Sequence, residues 1–255
     1  MAELVSDVLD LPPPDPDGLA VFCDVDGTLV DIADTPEGVH VPGELRATLD
    51  SARDRLSGAF ALVTGRGLAD VERMFEPSRY AAAAVHGLEI RTRPGEPAES
   101  YRPDAAFRAE IDRLAERFSG REGILVEDKT YAIALHFRLA PEAEGDILIE
   151  LHRSRTRLGG AFQVIEGKKL AELKPLAANK GSALRHFMAE PPFAGRRPVY
   201  FGDDTTDEYA FEAANELGGV SVRVGAHSET RAQMVVDDRQ ILYTWLQMLS
   251  RGSSG

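Results

Sequence analysis

Leu19-Ala20-Val21-Phe22-Cys23-Asp24-Val25-Asp26-Gly27-Thr28 is the stretch from which the fold can be read. Leu19 to Phe22 run apolar without interruption, a pattern a strand tolerates when both its faces are covered. The run stops at two carboxylates two residues apart and a glycine. In an open parallel sheet, that carboxyl end is where ligands bind. Gly27 permits the chain to turn there, so that Asp24 and Asp26 can point into one crevice. Asp24 can then attack phosphorus, and Asp26 can protonate a leaving oxygen and later activate water. An exposed Asp-x-Asp-Gly turn would have the same sequence.

Outward from this strand, the chain alternates strand and helix. Pro42 to Ser57 reads as a helix with apolar Leu45, Leu49 and Leu56, ended by Gly58. A strand at Ala59–Val63, a helix at Leu68–Phe75 and a strand at Tyr80–Val85 follow. The same rhythm returns after Pro175, with helices at Lys180–Ala189, Asp207–Glu216 and Ile241–Leu249 and strands at Pro198–Phe201 and Val220–Val224. Strands apolar on both faces, alternating with helices, predict a parallel α/β sheet. The Pro/Asp-rich leader Leu11–Gly18 is expected on the surface, and Arg251–Gly255 as a frayed tail.

Between these halves the pattern changes. Ala105–Phe118 carries Phe107, Ile111, Leu114 and Phe118 on one helical stripe. Strands are expected at Gly123–Glu127 and Thr130–Arg138, a helix at Pro141–Leu158, and strands at Ala161–Ile165 and Lys169–Leu173 joined by a Glu166-Gly167 turn. That order suggests a small α+β sandwich with hairpin pairing, inserted as residues 103–173 into a core made of 1–102 and 174–255.

The bulk composition limits what the chain can be. It has 255 residues, 43% hydrophobic and 28% charged, as expected of a soluble globular protein. A formal charge of −13, from 42 acids against 29 bases, argues against a nucleic-acid partner. A few local cations could still bind an anionic small molecule. The single cysteine, Cys23, allows no internal disulfide framework. No secretory signal and no run of about eighteen apolar residues is found, so a cytoplasmic monomer away from membranes is the expectation.

Three further motifs fall at element ends. Val63-Thr64-Gly65-Arg66 follows a buried strand, where a hydroxyl and turn N–H groups can cradle phosphate; Thr64 would equally serve as a helix cap. Asn179-Lys180-Gly181 begins a helix, and its lysine can hold phosphoryl oxygens and the attacking carboxylate, or simply be solvated. Gly202-Asp203-Asp204-Thr205-Thr206-Asp207-Glu208 places four acids within six residues, which calls for a compensating cation. Asp203 is the best ligand candidate, with Asp204 and Asp207 orienting waters or Lys180. A helix dipole accounts for Asp207 and Glu208, but not for Asp203 and Asp204 read as buried at a strand end.

In this order the four motifs resemble the haloacid-dehalogenase phosphatase superfamily. The resemblance implies a Rossmann-like parallel-sheet core with an inserted α+β cap domain, and a catalytic set of Asp24, Asp26, Thr64 and Lys180. It implies Mg2+ on Asp24, the Asp26 backbone carbonyl and Asp203, with Asp204 and Asp207 around it.

The insert is similar to that of trehalose-6-phosphate phosphatases. Glu127-Asp128-Lys129 is followed by His136-Phe137-Arg138, then Gly167-Lys168, Glu172 and Pro175 before Lys180-Gly181, and His86-Gly87 also matches. The resemblance spans roughly residues 19 to 225. Val25 departs from it, since an aromatic residue is more usual there. It implies a sugar-phosphate substrate bound by Thr64, Gly65, Arg66, His86, Gly87, Glu127, Lys129, Arg138, Glu172 and Lys180, with Glu127, Lys129 and Glu172 on glucose hydroxyls, and a place in trehalose biosynthesis. Rival readings are a sucrose-phosphate or mannosyl-phosphoglycerate phosphatase, a phospho-accepting receiver, and a non-catalytic sugar-phosphate sensor.

Overall fold

The structure is a computed structural model, described for residues 2–32, 38–75, 79–101, 104–129, 131–167, 169–176, 178–225 and 229–251. The expected boundary at Pro103, Lys168 of the insert and tail residues 252–255 lie outside these. The chain divides into two compact units, Met1–Glu99 with Asn179–Gly255, and Ser100–Ala178.

In the first unit, β1 (Glu3–Val5), β2 (Leu19–Cys23), β3 (Phe60–Val63), β4 (Ala81–Ala84) and β5 (Glu89–Arg91) form one sheet with later strands. The Glu99–Ser100 strand, β6, is its edge. The order is β1-β13-β12-β11-β2-β3-β4-β5-β6, where β11 is Arg197–Gly202, β12 Val220–Val224 and β13 Met234–Val236. β2 lies inside the sheet, with Val21 paired to Val199 on one side and to Phe60 on the other, both parallel. All five of its residues are buried, which explains the uninterrupted apolar run.

Helices cover both faces. Tyr200 meets Phe211 of α6 (Glu208–Glu216), while its neighbour Phe201 meets Trp245 of α7 (Arg239–Arg251). Successive strand residues point to opposite faces, so these helices lie on opposite sides. α1 (Gly43–Arg55) packs with α7, and α5 (Lys180–Met188) with α6; α2 is Leu68–Phe75. Strand order reverses at β2, whose neighbours come from early and late sequence, and that reversal opens a crevice at the carboxyl ends.

The second unit has α3 (Ala105–Phe118) and α4 (Glu144–Leu158), with β7 (Leu125–Asp128), β8 (Ile133–His136), β9 (Phe162–Gly167) and β10 (Leu170–Pro175). The sheet is antiparallel, in the order β7-β8-β10-β9. The stripe Phe107, Ile111, Leu114 and Phe118 is fully buried against Ile133, Leu135, Ile147 and Leu173.

Several elements depart from the sequence expectation. β1, β5 and β13 are three-residue strands with too little periodicity to register. Glu166-Gly167 ends β9 rather than forming the turn; the reversal falls after it, with Lys169 at φ 64°. β10 pairs through Pro175, so residues 174–178 belong to the second unit. The leader is not wholly exposed: Leu11 is buried, and the Pro12 carbonyl accepts a 2.7 Å bond from the Trp245 indole.

Candidate active site

The carboxyl ends of β2, β3 and β11 bring the core motifs together. Asp24 follows β2 directly, and its N–H donates to the Phe201 carbonyl of β11. Lys180, the first residue of α5, lies behind the Asn179 capping box, which fixes where the helix begins. Gly181 then lets α5 approach α6, since a Cβ there would sit 2.2 Å from the Tyr209 carbonyl oxygen. The buried Lys180 ammonium donates to Asp24 Oδ1 and Asp207 Oδ1, each at 2.7 Å.

Asp207 is fully buried and takes four donors. Tyr200 OH reaches Oδ1 at 2.6 Å beside Lys180, and the N–H groups of Asp203 and Asp204 reach Oδ2 at 3.1 and 2.9 Å. Those bonds fill a carboxylate's acceptor sites and make Asp207 the anchor of the turn. Burial is therefore the reverse of the sequence reading: Asp207 is enclosed, while Asp204 is exposed and caps the short turn Thr205–Asp207.

Carboxylate oxygens of Asp24, Asp203 and Asp207 lie within 4.8 Å of one another. Burial, opposed by Lys180 but reinforced by the Asp207 and Asp203 charges, lifts the Asp24 carboxyl well above its usual range. Burial and the Asp207 charge likewise raise Asp203. Burial works against the Lys180 charge, yet its two acids outweigh it and hold the ammonium protonated. Such crowding needs a proton or a cation to compensate, and oxygen ligands suit a hard divalent ion. Asp207 is committed to its donors, so Asp24 and Asp203 are the side chains that fit an ion. Gly27 keeps this space open: at φ 87°, a Cβ would sit 2.0 Å from Asp203 Oδ2. A cavity of about 500 Å³, lined in part by Gly27, Asp31, Asp203 and Arg239, adjoins it.

Asp26 is held differently. Arg66 forks onto its carboxylate, Nε to Oδ2 at 2.6 Å and a terminal nitrogen to Oδ1 at 2.7 Å. Such a bidentate pair fixes orientation as well as charge. The Arg66 N–H donates to Thr64 Oγ1 at 3.1 Å, leaving the Thr64 hydroxyl hydrogen available to an anion. His86, at φ 56°, folds back on this turn: its N–H donates to the Thr64 carbonyl at 2.9 Å, and its ring lies where a Cβ on Gly65 would be. Gly87 follows at φ 97°.

In the second unit, strand register brings the insert's polar residues onto one sheet face. Glu127 and Glu172 both pair with Ala134, whose small side chain leaves space between them. Lys129 Nζ lies 3.4 Å from Glu172 Oε2 and 3.9 Å from Glu127 Oε2. His136 Nε2 is 3.1 Å from Glu127 Oε2, and this contact, against partial burial and with help from Lys129, lowers the Glu127 pKa. Glu172 Oε1 is buried with no hydrogen-bond partner among the described residues. Arg138 stands in the exposed turn after β8.

Sequence reasoning missed Tyr200, which bonds Asp207, and Arg223, whose guanidinium donates to the Asp203 carbonyl. Tyr200 passed for an apolar strand residue, although alternation from the buried Phe201 places it on the α6 side. Arg223 stands out as a charge inside the otherwise uncharged run Val220–Val224. That anomaly was the available signal.

A family model described as Trehalose-phosphatase matches residues 22–240. A probable trehalose-phosphate phosphatase of Sinorhizobium fredii (strain NBRC 101917 / NGR234) is 41% identical over 228 residues, covering 88% of this chain and 84% of the relative. The trehalose-6-phosphate phosphatase of Escherichia coli (strain K12) is 36% identical over 231 residues, covering 91% and 86%. Among solved structures, the C-terminal domain of the C. albicans trehalose-6-phosphate phosphatase has a TM-score of 0.77 at 20% identity, over 92% of this chain and 93% of that one, a likeness of fold. A phosphatase of the haloalkanoate (HAD) superfamily from Bacteroides thetaiotaomicron has a TM-score of 0.62 at 17% identity, over 94% and 97%. Both likenesses are of fold, an α/β architecture of the same kind.

Proposed function

The chain belongs to the trehalose-phosphatase family of phosphomonoester hydrolases, and from that membership we propose that it converts trehalose 6-phosphate to trehalose and inorganic phosphate, with Mg2+, through a phosphorylated Asp24. The observation that carries the reading is Lys180 bridging Asp24 and Asp207 beside Asp203. A buried carboxylate oriented by a fixed cation is placed to attack, and the turn at Thr64 offers donors to phosphoryl oxygens.

The reaction runs in two displacements. Asp24 forms a bond to phosphorus as the bond from phosphorus to the sugar oxygen breaks, and Asp26 gives that oxygen its proton. Asp26 then takes a proton from water, whose oxygen attacks the aspartyl phosphate and releases phosphate and the Asp24 carboxylate. Arg66 holds Asp26 in position, Lys180 holds Asp24, and the Thr64 hydroxyl with the Gly65 N–H receives the phosphoryl oxygens. Asp24, Asp203 and the Asp26 main-chain carbonyl would hold Mg2+, which supplies positive charge against the phosphoryl oxygens and lets Asp24 remain ionised.

Sugar recognition falls to Glu127, Lys129 and Glu172. Glu172 Oε1, a buried acceptor still open, suits a hydroxyl donor, and a site built to bond hydroxyls discriminates strongly against ligands that lack them. The test is phosphate release from trehalose 6-phosphate beside sucrose, glucose and mannose phosphates, with and without Mg2+. Strong preference for the first and loss of turnover in Asp24→Asn are expected. Comparable rates on glucose 6-phosphate would remove the sugar assignment and leave the reaction type standing.

A further inference from the structure

The acidic run from Asp203 to Glu208 contains acids the reaction does not use, Glu208 among them. Glu208 opens α6, and its Oε1 accepts a 2.9 Å bond from Arg223, the penultimate residue of β12. The Arg223 guanidinium is almost completely enclosed, its side chain 5% exposed. Its other terminal nitrogen donates to the main-chain carbonyl of Asp203. Glu208 is tied further, by Thr230 Oγ1 at 2.8 Å and the Arg231 N–H at 2.6 Å.

Asp203 is consequently fixed at three points. Asp207 holds its N–H, Thr28 Oγ1 donates to its Oδ1 at 3.1 Å, and Arg223 holds its carbonyl. The first two are made by residues of the nucleophile and acid motifs. The third comes from a different strand, through a desolvated guanidinium that costs stability to bury unless its partner is kept. A main-chain anchor of this kind sets where the Asp203 carboxylate points. Groups that orient a metal ligand from behind typically change metal affinity by 10–100-fold when removed.

We propose that Arg223 and Glu208 are a positioning pair that fixes Asp203 for divalent-cation binding, and so sets the Mg2+ affinity of the site. This rests on the reading of Asp203 as a cation ligand, and separate readouts distinguish the two. Mg2+ is titrated calorimetrically into the full chain without substrate, for wild type, Arg223→Gln, Arg223→Lys, Glu208→Gln and the double variant. Glu212→Gln, which breaks only the exposed ion pair with Arg231 one turn along α6, is the control.

Arg223→Gln and Glu208→Gln should each weaken Mg2+ binding about 10–100-fold. Arg223→Lys should recover part of the loss, and the double variant should lose little more than either single one, because the pair acts as a unit. The Mg2+ concentration for half-maximal phosphate release should rise in parallel, while Glu212→Gln matches wild type. Mg2+ affinities within about twofold of wild type in the folded variants would overturn the proposal; should Arg223→Gln fail to fold, Arg223→Lys and Glu208→Gln decide it. A wild-type chain that binds no Mg2+ overturns it together with the cation reading. One that binds Mg2+ yet spares trehalose 6-phosphate overturns only the substrate, and the affinities still decide the pair.

Discussion

Lys180 sits between two acids that could not otherwise share one pocket. Its ammonium is 2% exposed and its partners Asp24 and Asp207 no more than 5%, so each charge depends on the others for solvation. Removing one member of a buried ion set typically costs about 3–5 kcal/mol, because the remaining charges are left unpaired. Lys180→Met should therefore abolish phosphate release and lower unfolding free energy by about 3 kcal/mol, measured by urea titration in EDTA. A variant as stable as wild type would mean that Asp24 and Asp207 do not rely on this cation. At this scale, the placement of Asp24, Asp26, Thr64, Lys180 and Asp203 was legible because each stands at or next to the end of an element that its neighbours define. The Arg66–Asp26 fork, the Tyr200 hydroxyl bond and the burial of Asp207 were not. They depend on which side chains meet across residues far apart in sequence, and no local pattern encodes that.

Elements with strong periodicity were readable for the same local reason. The helical stripe of α3 and the unbroken apolar runs of β2 and β3 report how many of their faces are covered. Edge strands of three residues carry no such signal. α3 and α4 also show what a helix pair does with its charged face. Glu110 is nearly enclosed and receives Arg113 and Arg157. Burial alone would raise its pKa, but the bonds from Arg157 and Arg113 prevail and bring it to about 2. A carboxyl whose folded pKa lies below its unfolded one stabilises fully above the unfolded value, near 4.5, and loses that contribution as pH falls toward 2. Because both arginines are more than a third exposed, solvent screening reduces the effect to about 1–2 kcal/mol. Glu110→Gln should be less stable than wild type at pH 6 by that amount, with the gap closing between pH 4.5 and 2. A gap independent of pH would assign the loss to packing instead.

At the scale of the whole molecule, the two units carry different chemistry, and the proposed reading assigns phosphate to the first and sugar to the second. The first unit presents the crowded acids, one bridging lysine and the neutral turn at Thr64, groups that suit a cation and a phosphoryl group but carry no means of reading a sugar. The second presents Glu127, Lys129 and Glu172 on one sheet face around Ala134, with an open buried acceptor and no comparable cluster of acids among the described residues. If recognition is split this way, each part of the substrate should protect a different part of the chain from amide hydrogen exchange. Mg2+ with inorganic phosphate should slow exchange at Asp24–Thr28, Thr64–Arg66 and Asp203–Glu208, by a factor that follows the occupancy of the bound state. Trehalose alone should instead slow exchange in Leu125–Asp128, Ile133–His136 and Leu170–Pro175. The Glu172→Ala chain should lose the second protection and retain the first. Trehalose protecting only the Asp24 and Asp203 segments would refute the division and place sugar recognition on the parallel sheet, in which case Glu172 is buried for structural reasons and its open oxygen must be answered by water.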